Sequence, residues 1–203
     1  MITFYISYIL SMVFRTIFLF TLLLLLIVVF ILYSYSSPRY IRYLPTFPFL
    51  YPNSKKEAFD VAIFQKQHLE DLKPFFKLTD KSVAFAFEGV IPGKTLEELE
   101  HEIIHWTILT PIVFFKYSIN RPRPWQVYRE ITPLSSVTDK TPSYPAGHAY
   151  QAYYLAKKYA KEYPELKEKL DSIAEKCDAC RVAAGLHYLS DGQFSRYLVN
   201  MFY

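Results

Sequence analysis

The chain has 203 residues, 52% of them hydrophobic, and a formal net charge of +4. That length accommodates one domain of ordinary size plus an appendage, and a balance so near neutral lacks the concentrated positive charge by which proteins hold nucleic acid. The two cysteines, Cys177 and Cys180, form a single C-x-x-C with neither a second ligand pair nor a βαβ pattern beside it, which argues against a zinc or redox motif and for two reduced thiols on a helix.

The hydrophobic excess is concentrated near the amino terminus. From Thr16 to Pro38 there is no charged residue, and a bilayer span needs ~20 apolar residues. A cleaved signal peptide, for which Ser34 and Ser36 supply small residues near a cut, has an apolar core of only ~7–15 residues. An uncleaved single-pass anchor within residues 1–37 is therefore expected. Only Arg15 precedes the apolar run, while Arg39, Arg42, Lys55 and Lys56 follow it, so the positive-inside tendency places residues 39–203 on the cytoplasmic side. Residues 38–55 carry four prolines among several tyrosines and read as an extended linker. A domain over 56–203 follows.

Within that domain the pattern is helical, with no convincing alternation. A helix is expected over Ala58–Leu72. Thr95 and Glu98 make a capping-box pattern opening a helix to about Lys116, kinked at Pro111. Ile103–Phe115 is apolar but too short for a span and reads as a buried core helix. Pro145 introduces a helix from Ala146 to about Tyr163, stopped before Pro164. A long helix follows from Glu165, and a short last one lies beyond Gly192. Lys157, Lys158, Lys161, Glu162, Glu165, Lys167, Glu168 and Lys169 mark a solvated helix surface. The fold class is all-α.

Two sets of residues carry chemistry. The first is His101-Glu102-Ile103-Ile104-His105. On one helix, the two histidines would share a face and a tetrahedral zinc, with Glu102 polarising the bound water of a metalloprotease. A third ligand is missing: Ile108 and Leu109 stand where a continuation would supply one, and Glu130 is the sole carboxylate at a suitable downstream distance.

The second set is spread over three blocks, Lys116 to Pro124, Pro142 to His148 and Arg181 to Asp191. Lys116, Arg123 and Arg181 are three cations, enough to neutralise a phosphate dianion and the charge that gathers on its oxygens during transfer. Gly147 and His148 begin a helix, where free amides and the dipole attract anions. His187 and Asp191 are four residues apart, so the carboxylate can hold the imidazole in one tautomer and strengthen it as a nucleophile. His148 is left as a proton donor.

These spacings resemble the type 2 phosphatidic acid phosphatase superfamily, which includes bacterial acid phosphatases and vanadium haloperoxidases. Its K-x6-R-P is met by Lys116, Arg123 and Pro124, its P-S-G-H by Pro145-Ala146-Gly147-His148, and its S-R-x5-H-x3-D by Cys180-Arg181, His187 and Asp191. Ala146 and Cys180 replace two motif serines. The resemblance, over about residues 56–203, implies a helical bundle with no metal and no cofactor. In it His187 attacks phosphorus, His148 protonates the leaving group, Asp191 orients His187, and Lys116, Arg123, Gly147 and Arg181 hold the phosphate. The implied partner is a phosphorylated substrate, foremost a lipid phosphate. The rival readings are a vanadate-dependent haloperoxidase, a zinc protease built on His101, Glu102 and His105, and a membrane protein that keeps the fold with little activity.

Overall fold

The computed structural model describes residues 12–28 and 51–203. The chain divides into two compact units, Met1–Arg39 and Tyr40–Tyr203. In the first, residues 12–28 form helix α1, whose Thr16 and Thr21 hydroxyls donate to the carbonyls of Met12 and Ile17 (2.9 and 3.0 Å). Among the described residues no helix is long and apolar enough to cross a membrane. Residues 1–11 and 29–37 of the expected anchor, and residues 38–50 of the expected linker, lie outside the described residues.

The second unit is all-α among its described residues, with no strand. In chain order come α2 (Ser54–Thr79), α3 (Ala84–Phe87), α4 (Leu96–Ile103), α5 (Trp106–Ile119), α6 (Pro124–Val127), α7 (Gly147–Glu162), a 3-10 turn (Pro164–Leu166), α8 (Lys167–Ala183) and α9 (Leu189–Phe202). Helix α8 is central, packing on α7 and α2, and α7 in turn packs on α9. One core cluster gathers Phe87, Leu99, Ile103, Leu155, Tyr159, Leu170 and Cys177. Another joins Ile108 and Ile112 of α5 to Tyr150, Leu198 and Val199. Both cysteines are buried free thiols.

Several boundaries differ from those expected, each for a local reason. Helix α2 begins four residues before Ala58 because the Asn53 side chain accepts from the amides of Lys55 and Lys56 (3.0 and 3.2 Å), satisfying donors that a helix start leaves free. It also runs through Pro74 to Thr79. The capping box of Thr95 and Glu98 is present. The helix it opens, however, ends at Ile103, and a new one starts at Trp106 with His105 as its N-cap. Pro111 lies inside α5. Its missing N–H leaves the Thr107 carbonyl without an intrahelical partner, and the Tyr203 hydroxyl donates to that carbonyl (3.0 Å). The expected buried helix Ile103–Phe115 is thus broken, and Trp106 and Phe114 are exposed. Helix α9 starts at Leu189 rather than beyond Gly192, because Asp191 caps its first turn by accepting from the Tyr188 amide (3.0 Å).

The helix ends matter more than their lengths. The carboxyl ends of α5 and α8 bring Lys116 and Arg181, and the amino ends of α6, α7 and α9 bring Arg123, His148 and Asp191.

Candidate functional site

All seven residues singled out from the three blocks lie at these helix ends. Lys116, Arg123, His148, Arg181, His187 and Asp191 are buried. Gly147 opens α7, and a methyl group on it would touch Ile112 and the Lys116 side chain at 3.4 and 3.8 Å. The stem of Lys116 therefore crosses the start of α7, and its Nζ donates to the Pro142 carbonyl (2.5 Å).

His187 sits between two partners. Its Nδ1 is 3.0 Å from Asp191 Oδ2, and its Nε2 is 2.9 Å from Arg123 Nη1. A guanidinium can only donate, so Nε2 accepts and carries its lone pair, which puts the proton on Nδ1 facing the carboxylate. Asp191 is held ionised: burial works against it, but the hydrogen bond from His187 and the charge of Arg121 more than offset that, keeping it below the usual carboxylate range. Burial, joined by Arg123, lowers His187 to about 3 despite the opposing pull of Asp191. The imidazole is thus neutral with a fixed tautomer.

The second cluster is built on Asp80. Its carboxylate pairs with Arg181 Nη1 (2.6 Å) and accepts from Ser136 Oγ (2.6 Å), while its carbonyl lies 3.1 Å from His148 Nε2. A carbonyl can only accept, so His148 carries its proton on Nε2. Burial and the neighbouring Arg181 push the His148 pKa well below the ordinary histidine value, with His187 and Lys116 adding to the effect. Arg181 also donates to the Thr79 carbonyl (2.9 Å), and its buried Nε has no hydrogen-bond partner among the described residues.

Arg123 is fully engaged. Its five N–H groups go to the carbonyls of Thr141, Leu186 and Thr138, to His187 Nε2 and to Thr141 Oγ1. Burial lowers its pKa to about 10, with Asp191 opposing. Burial likewise depresses Lys116 well below the ordinary lysine value, and Arg123 adds to this. The cluster is buried and rich in cations, with Asp80 and Asp191 as the carboxylates in direct contact with it.

Four further residues complete this arrangement, and sequence reasoning missed their roles. Arg121 bridges Asp191 and Glu57 (2.7 Å to each). Ser143 donates a short hydrogen bond to Asp191 Oδ2, and Asp80 anchors Arg181. Only Arg121 had a signal, its place two residues before Arg123. Ala146 is the N-cap of α7 and makes no side-chain cap bond. Cys180 points into the α2–α8 interface, where its Sγ donates to the Cys177 carbonyl (3.2 Å).

The zinc-motif residues are arranged differently. His101 ends α4 and His105 caps α5, so no single helical face carries both. Glu102 accepts from Lys158 Nζ (2.7 Å) and Tyr159 Oη (2.8 Å). Burial opposes its charge, yet these bonds hold its pKa down. The three residues line a cleft of about 580 Å³ with Thr95 and Tyr154. Among the described residues no group of three His, Cys, Asp or Glu is placed to hold a metal ion. The chain matches no known protein-family model and no curated protein.

Proposed function

We propose that this chain is a membrane-anchored, metal-independent phosphatase of the type 2 phosphatidic acid phosphatase superfamily. It would hydrolyse a phosphomonoester or diphosphate through a phosphohistidine, with a lipid phosphate such as phosphatidic acid as the leading substrate. The anchor lies in residues 1–37, and the catalytic domain faces the cytoplasm. The observation that carries this reading is the fixed tautomer of His187, with Nε2 unprotonated beside Arg123 and Nδ1–H on Asp191. A neutral imidazole backed by a carboxylate is the form that attacks phosphorus.

The rest of the cluster supports the same chemistry. The unpartnered Arg181 Nε–H, a buried donor that costs ~1–3 kcal/mol when left unsatisfied, suits an anionic oxygen. Helix α7 presents its free amides at Gly147. A phosphate dianion among Lys116, Arg123 and Arg181 offsets the positive surroundings that hold His148 neutral, so His148 takes up a proton from water as substrate binds. The His187 Nε2–P bond then forms as the P–O bond to the leaving group breaks, and His148 gives its proton to that oxygen. Water, deprotonated by His148, breaks the N–P bond and releases phosphate. Asp191 compensates the positive charge that develops on His187.

The test is phosphate release by the full-length protein in detergent, with chelator present, from phosphatidic acid, a diphosphate lipid and a soluble phosphomonoester. Turnover of at least one substrate, lost in His187→Ala and kept in His101→Ala, is expected. Failure of all three substrates overturns the reading, and loss of activity to chelator returns the argument to His101, Glu102 and His105.

A further inference from the structure

We propose that Arg121, pinned by Glu57, is the residue that positions Asp191 behind His187. The inference rests on the reading of His187 as nucleophile, and extends it one layer outward to residues in no part of the motif pattern.

The geometry leaves Arg121 a single place. It is fully buried. Nη1 donates to Asp191 Oδ1 and to Ser190 Oγ, both at 2.7 Å. Nη2 donates to Glu57 Oε2 (2.7 Å) and the Pro52 carbonyl (3.4 Å), and Nε to Ser54 Oγ (3.2 Å). The rings of Tyr188 and Tyr51 lie 3.7 and 4.6 Å from its central carbon. Glu57 is in turn fixed by the Ser190 amide (2.7 Å) and hydroxyl (2.8 Å). A planar fork that joins two carboxylates in this way sets their orientation as well as their charge.

The consequence for Asp191 is a division of its oxygens. Oδ1 belongs to Arg121. Oδ2 belongs to His187, Ser143 and the Tyr188 amide. With Oδ1 held, Oδ2 stays aimed at Nδ1. Without that hold the carboxylate can turn about its last bond, which loosens the acceptor of Nδ1–H and leaves Arg123 alone to hold the tautomer. Charge matters as well. Asp191 is faced by Arg121 and Arg123 from the segment after α5, by Lys116 from α5, by Asp178 from α8, by His187 and Tyr188 before α9, and by Tyr144. Glu57, from α2, acts through Arg121. Arg121 is the cation in direct contact with Asp191, and after the hydrogen bond from His187 its charge does most to keep that carboxylate ionised.

The experiment compares full-length wild type with Arg121→Lys and Glu57→Gln, in detergent, on whichever phosphate substrate the wild type turns over. A lysine retains the charge but cannot span both carboxylates. The expected result for Arg121→Lys is a kcat about 100-fold lower with KM within about 3-fold, the signature of an interaction needed in the reaction rather than in binding. The acid limb of the kcat profile should move to higher pH, because an Asp191 with a weaker cationic partner protonates sooner as pH falls. Glu57→Gln should lower kcat to a lesser degree, about 5-fold, by loosening Arg121, and it carries the test by kcat and NMR should Arg121→Lys fail to fold. A drop in activity that only follows the folded fraction, with the acid limb unmoved, overturns the proposal. A second arm uses nitrogen-15 NMR of the histidine rings and needs no turnover. His187 should hold its proton on Nδ1 in wild type, and in the variants that Nδ1–H signal should move as its carboxylate acceptor loosens. An unmoved signal overturns the proposal. Silence of the wild type on every substrate overturns the phosphatase reading instead, and leaves the NMR arm to judge Arg121 alone.

Discussion

The molecule carries two pairs of histidines in opposite settings. His101 and His105 look like chemistry in the sequence, yet they are exposed, lie on two different helices, and border a cleft whose nearest carboxylate, Glu102, is already bound by Lys158 and Tyr159. His148 and His187 are far apart in the sequence, yet both are buried, both have a proton position set by their partners, and Lys116 acts on both. Sequence spacing tests a site only if the helix is continuous. A break of two residues at Ile104 and His105 was enough to dissolve the first pattern. The second survives because each block needs only its own helix end, and long-range contacts assemble the ends.

The sharpest way to break this contrast is in activity. His187→Ala should lower phosphate release by ~1,000-fold or more, while His101→Ala stays within about 2-fold of wild type in the same assay; the reverse ranking would invert the comparison. Next comes packing around the buried pair. A methyl group on Gly192 would sit 1.9 Å from Asp178 Oδ2, inside van der Waals contact. Gly192→Ala should therefore cost ~2–3 kcal/mol in denaturant unfolding, and no loss would show that Asp178 can move aside.

Asp178 offers a pH test of the same wall. Burial raises its carboxyl to about 7, with Asp191 adding to the effect and the Tyr153 hydrogen bond opposing it, against ~3.9 in an unfolded chain. A raised folded value means that the native state keeps the proton longer. The stability it contributes is present below about pH 4 and declines as pH rises towards 7. Asp178→Asn should remove that decline, measured as the unfolding midpoint across the interval; a slope unchanged from wild type would assign it to other groups. The smallest effect belongs to the exposed pair. His105→Ala removes the N-cap acceptor of α5, whose Nδ1 receives the Thr107 amide at 3.4 Å, and should cost ~0.5–1 kcal/mol of stability without changing turnover. A larger loss, or lost turnover, would give this pair a weight it lacks here.

What could be read in advance was local. The capping box at Thr95 and Glu98, the stop at Pro164 and the helix start at Pro145 depend on residues within four positions of one another. The three-block pattern was legible because its cations, glycine and histidines sit at helix ends that such signals mark. The break before Trp106 was not, since a histidine N-cap competes poorly in any sequence reading with the apolar run on either side. Nor were Arg121, Glu57 and Asp80. Their charged partners lie 64 to 101 residues away, and nothing in the local pattern distinguishes a buried arginine bridging two carboxylates from a solvated one.

Arg123 has one more implication. Since every one of its donors already has a partner, an incoming phosphate does not gain new hydrogen bonds there so much as exchange for old ones, as a ligand does when it displaces bound water. The contribution of Arg123 to phosphate affinity is then a difference between two similar quantities. On the proposed reading, Arg123 itself does little to retain the inorganic phosphate that is released, and any product inhibition falls to Arg181, whose Nε has no partner among the described residues.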